Sequence, residues 1–286
     1  MEIRFGIQSA QHTSKPVSSQ TMVNCYLEAG NPGAKSPAVV VPSFGIVSFS
    51  SVTNAKGMAS INGVLYAVGN GGFYSVSSTG TKTLLVAFPY AGDVQILGDV
   101  TGNIVLLNDG NIYVYTGGAL TLVSDVDAPN ARWMGIVNGY YVTSDKDTGY
   151  MYSTENPRDP TSWLATDREN ADLNPDDTLW GMVDKKELII FGRESTEFWY
   201  YDGGAAFAFA PVPNGYFEIG IMSEYGSGKV GNANFFMGSD GVAYELVGYS
   251  PKRISTHAIE QDIKGWAQSC KCFSWVESGH ALIGWK

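Results

Sequence analysis

"DVQILGDVTGNIVLLNDGNIYVYTGGALTLV", residues Asp93 to Val123, decides how this chain folds. Turn signals at Thr101-Gly102, Asp109-Gly110 and Gly117-Gly118 cut it into four short segments. The segments are rich in β-branched and aromatic residues and too short for ordinary helices. Asp-Gly between apolar runs marks a hairpin, because both central residues of a tight two-residue turn need positive φ. The stretch therefore reads as four antiparallel strands.

The same pattern recurs on both sides. Upstream, "GMASINGVLYAVGNGGFYSVSSTGTKTLLV" turns at Asn62-Gly63, Asn70-Gly71-Gly72 and Thr79-Gly80. Downstream, a third unit from Arg132 turns at Asn138-Gly139 and Thr148-Gly149, and further units begin near Thr178 and Gly228. A sixth opens with "KCFSWVESGHALIGW", where the sequence ends at Lys286. Second strands are predicted to begin near Val64, Asn103, Tyr140, Leu188, Asn234 and Ala281, at intervals of 39, 37, 48, 46 and 47 residues. Four short strands per unit of about 40–50 residues is the period of a β-propeller blade. The predicted fold is all-β: a β-propeller of about six four-stranded blades over 48–286, its last blade incomplete. Residues 1–47 are read as an irregular arm and a closing strand.

Composition agrees. The chain of 286 residues is 44% hydrophobic, with 34 glycines, 16 tyrosines and only 16% charged residues. That is a turn-rich β composition with enough apolar mass for a large core. The net charge of −10 opposes DNA binding through a basic surface and binding to anionic membranes. Its strongest basic clusters are Lys185-Lys186 and Lys252-Arg253. The N-terminus lacks the basic and apolar regions of a signal peptide, and no apolar run reaches membrane-spanning length. Cys25, Cys270 and Cys272 form no disulfide framework and suit a reducing cytoplasm. Cys270 and Cys272 are read as neighbours on one strand face.

The candidates for chemistry are few. His12, His257 and His280 have no metal or triad spacing. Glu194 and Glu197, in "FGRESTEFWYYDGG" (Phe191 to Gly204), are the candidate acid pair of a glycosidase. Both fall in one hairpin, however, whereas propeller glycosidases gather acids from several inner strands. Glu197 is therefore read as structural, held by a neighbouring turn or by a base such as Arg193 or Lys186. Asp167, Glu169, Asp172, Asp176 and Asp177, in "TDRENADLNPDD", could approach a Ca²⁺ loop but lack a known spacing; a solvated connector is expected. Trp133, Trp163, Trp180 and Trp199 could stack sugars, and blade packing is the favoured role. No catalytic, cofactor or metal residue is assigned.

Several stretches together resemble the packaged-DNA stabilisation proteins of short-tailed phages. These are Trp163, the Ala171-to-Asp177 loop, the strand Leu188 to Gly192, and Ser195 to Trp199 before a glycine. "VNCYLEA" (Val23 to Ala29) with "VVVPSFGI" (Val39 to Ile46) resembles the family's N-terminal part, though Pro42-Ser43-Phe44-Gly45 departs slightly from its pattern. Phe217 to Ile263 resembles its later segment. The similarity covers nearly the whole chain, in order. Family members usually run further and complete the last blade, so either this sequence is truncated or Val39 to Val47 closes the ring.

The resemblance implies a non-enzymatic virion protein assembled in the host cytoplasm. It would be a tail hub or nozzle, a hexameric ring below the portal and adaptor proteins. That ring would extend the DNA channel, help retain the packaged genome, and anchor tail fibres, tailspikes or a needle. Genome DNA would pass without specific binding, and no membrane insertion or cofactor is implied. The reading from another class is a glycan-binding or glycan-hydrolysing propeller.

Overall fold

The computed structural model describes residues 10–11, 19–20, 25–30, 33, 38–171, 176–204, 207–263, 265 and 267–286. The β-propeller is what the repeat demanded. Blade one is Gly57–Ile61, Val64–Gly69, Gly72–Val76 and Lys82–Ala87, paired in that order and antiparallel throughout. Blade two is Gln95–Gly98, Ile104–Asn108, Asn111–Thr116 and Ala119–Leu122. Blade three is Ala131–Val137, Tyr140–Asp145, Tyr150–Thr154 and Trp163–Asn170. Blade four is Thr178–Asp184, Glu187–Gly192, Thr196–Tyr201 and Phe209–Phe217. Blade five is Ser227–Val230, Ala233–Met237, Ala243–Val247 and Ser250–Arg253.

The turns form for the predicted reason. Asn62-Gly63 has φ of 51° and 79°, and Asn138-Gly139 has 51° and 91°, the paired positive values that splice a tight hairpin without splaying its strands. Second strands then sit between two partners in their own sheet and between neighbouring blades. Ile104–Asn108 is buried at every position. A strand covered on both faces must be apolar on both, which is why "IVLLN" and "LIIFG" do not alternate.

First strands lie against one another from blade one to blade four, and blade five's first strand lies against the last hairpin. Close approach is set by missing side chains. A Cβ on Gly181 would fall 2.1 Å from the Trp133 ring of the preceding blade, and one on Gly57 would fall 2.2 Å from the Val94 carbonyl oxygen. Gln95 bridges blades two and three: its amide accepts from Met134 N and donates to Met134 O, each at 2.8 Å. Tyr141 links the same pair of blades through its hydroxyl, which donates to Asp99 at 2.9 Å.

The sixth position is built differently. Cys272–Glu277 pairs with His280–Trp285, and Cys25–Ala29 pairs with Ala38–Pro42, as two separate hairpins. The Glu277 carboxylate joins them, accepting from Ser43 Oγ at 2.9 Å and Phe44 N at 2.7 Å. The Tyr26 and His280 rings stand 5.2 Å apart. The strand read at Val39 to Val47 as closing the ring spans Ala38–Pro42, and its ladder is with Cys25–Ala29, not with the last hairpin.

One further reading is corrected. The strand at Cys272–Glu277 begins after Cys270, so the two thiols do not share a strand face. Cys270 is buried against Ser223, whose hydroxyl donates to the Cys270 carbonyl at 2.6 Å. After blade five the chain also forms a helix, His257–Ile263. Among the described residues no helix is long and apolar enough to cross a membrane.

Candidate interaction surfaces

The hairpin holding the candidate acid pair builds from its ladder outward. Glu187–Gly192 pairs with Thr196–Tyr201, and Arg193, Glu194 and Ser195 form the turn. The Asp176 carboxylate shapes that turn, accepting from Glu194 N at 2.6 Å and Ser195 N at 2.9 Å. Glu194 is exposed, while Glu197 is only 3% exposed. The Trp199 indole N–H donates to Glu197 Oε2 at 2.9 Å, as two residues on one strand face can. Arg193 faces Asp177 at 3.5 Å, and Lys186 lies at the rim of another cleft. The partner seen for Glu197 is therefore an indole rather than the anticipated Arg193 or Lys186.

Glu197, Trp199 and Phe207 border a cleft of about 480 Å³ with Arg168, Glu169 and Asp202. Arg168 covers the Tyr150 ring at 4.8 Å and donates to the Tyr152 hydroxyl at 3.0 Å. The four tryptophans singled out in the sequence are all buried, so their faces pack blades. The acidic stretch divides between a strand and the connector that follows it. Asp167 and Glu169 belong to the strand Trp163–Asn170, and burial pushes the Asp167 carboxyl above its ordinary range. Asp176 and Asp177 bind the next turn, and Asp172 lies outside the described residues. His12 lies outside them too. His257 sits beside Arg253 and Glu260, far in the chain from the His280–Tyr26 contact. Among the described residues no cluster of three or more His, Cys, Asp or Glu could hold a metal ion.

Sequence reasoning missed three contacts. Lys271 of the last hairpin pairs with Asp93 of the loop before blade two at 2.5 Å. Tyr225 stands near both, its ring 4.3 Å from Trp180, and burial raises its phenol well above the usual range. Arg253 clamps Glu260, holding that carboxyl low, with Ser255 donating to the same group at 2.8 Å. No local motif marks these pairs: long-range topology brings the first two together, and the step from a strand to the next short helix brings Arg253 to Glu260.

Apolar exposure is high beside the sixth position, as it is at Met58, Val100 and Val126 elsewhere on the blades. Phe44 is 75% exposed and Val47 84%, with Ile46 fully open. Phe273, Trp275 and Val276 on the last hairpin are exposed as well. Contiguous exposure of this kind usually marks an interaction site.

The family model described as "Bacteriophage P22 Gp10, beta-propeller" matches residues 3–281. The chain belongs to this phage stabilisation family. Curated proteins give no match. Among solved structures, a computationally designed protein, Ika8, is similar at 12% identity and TM-score 0.50, over 93% of this chain and 79% of that one. A catalytically inactive virginiamycin B lyase from Staphylococcus aureus is similar at 9% identity and TM-score 0.51, over 71% and 70%. PorZ, a surface component of the type-IX secretion system of Porphyromonas gingivalis, is similar at 15% identity and TM-score 0.48. The match covers 74% of this chain, and this chain spans only 29% of PorZ. Identities this low support the fold alone. The phage family thus carries packaged-DNA stabilisation and virion association, on a propeller whose open face lies at the sixth position.

Proposed function

We propose that this phage stabilisation protein is a non-enzymatic tail hub or nozzle. Copies form a ring below the portal and adaptor, prolong the DNA channel and help retain the packaged genome. The ring also anchors tail fibres, tailspikes or a needle. The family match over residues 3–281 carries the reading. Two features support it. The exposed Phe44, Ile46, Val47 and Val276 offer apolar area for subunit or tail-protein contacts. The net charge of −10 suits a passage that lets DNA slide, because a basic lining would hold the phosphates.

The glycosidase reading has weaker support. Glu194 is exposed in a turn, and Glu197 is buried with a bound indole on its carboxylate. The deciding experiment is the native mass of the purified protein, alone and with portal and adaptor. A closed ring that joins the portal–adaptor complex is expected. A chain that stays monomeric at all concentrations and binds neither would overturn the proposal. A glycosidase screen of wild type beside Glu197→Gln separates the classes. Hydrolysis by wild type that the variant loses would favour the enzyme.

A further inference from the structure

The Lys185-Lys186 pair, the most basic dipeptide of blade four, lies on the rim of a cleft of about 730 Å³ between blades four and five. The floor is apolar, made by Ile189, Phe198 and Leu246. Tyr249 forms one wall and is 40% exposed. Its ring is held edge-on to Phe198, with centroids 4.9 Å apart, and its hydroxyl donates to Glu187 at 2.9 Å. The ring is thus fixed at both ends while part of it stays open.

The acids of the rim are already engaged. Asp184 accepts from Lys229 at 2.5 Å and from Asn234 Nδ2 at 2.8 Å, and Glu187 takes the Tyr249 hydroxyl. Lys185 and Lys186 are exposed, and among the described residues neither is ion-paired. The charge left for a ligand is positive, although the chain as a whole is acidic. Asn234 serves the blade contact instead: its Nδ2 donates to Asp184, and its Oδ1 is buried out of a ligand's reach. Its amide orientation is fixed, because the reverse would press a carbonyl against the Asp184 carboxylate.

An open aromatic face, the side-chain amide of Asn232 and two exposed ammonium groups over an apolar floor make a specific combination. A pyranose ring has apolar C–H faces that lie on an aromatic ring and edge hydroxyls that seek amides. A plain apolar ligand would leave the amide and lysines unused. A nucleic acid would need a longer basic track than two lysines. The volume lies within the range of small-molecule sites. We infer that this cleft binds a saccharide bearing an acidic group, either carboxylate or phosphate. The inference stands apart from the tail-hub reading, since a hub and a monomer would present the same cleft.

Ligand-observed NMR on the full chain tests it, with glucuronic acid, glucose 6-phosphate, glucose and inorganic phosphate as probes. Saturation transfer to the pyranose protons of at least one acidic sugar is expected, and the two sugars distinguish carboxylate from phosphate. Tyr249→Ala should abolish the signal. The Lys185→Glu, Lys186→Glu double variant should weaken binding at least tenfold, to the level of glucose. All changed residues are exposed, and an unaltered melting temperature verifies the fold. No transfer to either acidic sugar, equal binding of glucose by wild type, or undiminished binding by the variants would overturn the inference. So would displacement of glucose 6-phosphate by equimolar inorganic phosphate, which would mean that the cleft reads the anion alone.

Discussion

Gly181→Ala tests whether the contact between blades three and four depends on one missing methyl group. The added Cβ would stand 2.1, 2.2 and 2.3 Å from three ring atoms of Trp133. Trp133 is fully buried, and its indole N–H has no hydrogen-bond partner, so packing alone holds the ring. A rigid bicycle under a packed blade cannot swing aside as the tip of a flexible chain would. The cost should therefore fall in the upper part of the overpacking range, about 2–3 kcal/mol. At about 2–4 °C per kcal/mol for a domain of this order, melting should drop by roughly 4–12 °C. Gly45→Ala is the control, because a Cβ there meets nothing within 4 Å. Trp133→Phe supplies the second arm: it removes outer ring carbons that the new methyl would strike. In that background Gly181→Ala should cost at least 1 kcal/mol less, a coupling of the size neighbouring residues show. Differential scanning fluorimetry of the four proteins reads the cycle. A drop below about 2 °C, or the same drop with and without Trp133, would refute this account of the blade spacing.

Asp99 gives a pH prediction. Burial opposes its charge, but hydrogen bonds from Thr101, Tyr141 and Asn103 outweigh that and hold its carboxyl below the usual range. A depressed folded value means stability that is present above the unfolded carboxyl pKa and is lost as pH falls through the folded one. Asp99→Asn should cost about 2–3 kcal/mol at neutral pH and should flatten that acid-side loss, as followed by melting curves from pH 7 to pH 2. Glu277→Ala removes the acceptor that Phe44 N and Ser43 use. Hydrogen exchange should then rise at Phe44 and through Ala38–Pro42, with blades two to four unchanged. Protection that stays at the wild-type level would mean Glu277 does not tie the two hairpins.

Much of the fold was legible because its signals are local. Asn62-Gly63 and Asn138-Gly139 sit at positive φ, as their hairpins require. Predicted second strands near Val64, Asn103, Tyr140, Leu188, Asn234 and Ala281 begin within one residue of the observed Val64, Ile104, Tyr140, Glu187, Ala233 and His280. What escaped depends on distance or on competition. The helix His257–Ile263 is too short to show a 3.6-residue period, and an Arg253–Glu260 clamp from the preceding strand holds it. Asp167 and Glu169 looked like loop residues by charge, yet their strand pairs Met151 with Glu169 and Tyr152 with Arg168. Glu197 was expected to be held by a neighbouring turn or a base, and the indole donor two residues along the same strand carries no signal of its own in the sequence. The clefts were least legible of all. The rim at Lys185 and the wall at Tyr249 belong to different blades, which no spacing rule connects.

The sixth position differs from the five complete blades in how its strands are satisfied. Blades one to five each complete a four-stranded ladder, so their middle strands can bury both faces. The sixth position has two hairpins with separate ladders, tied through Glu277. An exposed strand edge can act as a template for another chain, and apolar side chains beside it favour such pairing. The exposed Phe44, Ile46, Val47, Phe273 and Val276 lie at this position or in the segment leaving it. Elsewhere the largest side chains are buried: Trp133, Trp163 and Trp199 all lie within blades three and four. Stability therefore rests on blade contacts such as Gly181 with Trp133, while part of the exposed apolar area lies beside the sixth position. A protein that must fold alone and then join a virion needs that division, because a surface already buried by folding has nothing left to contribute to assembly.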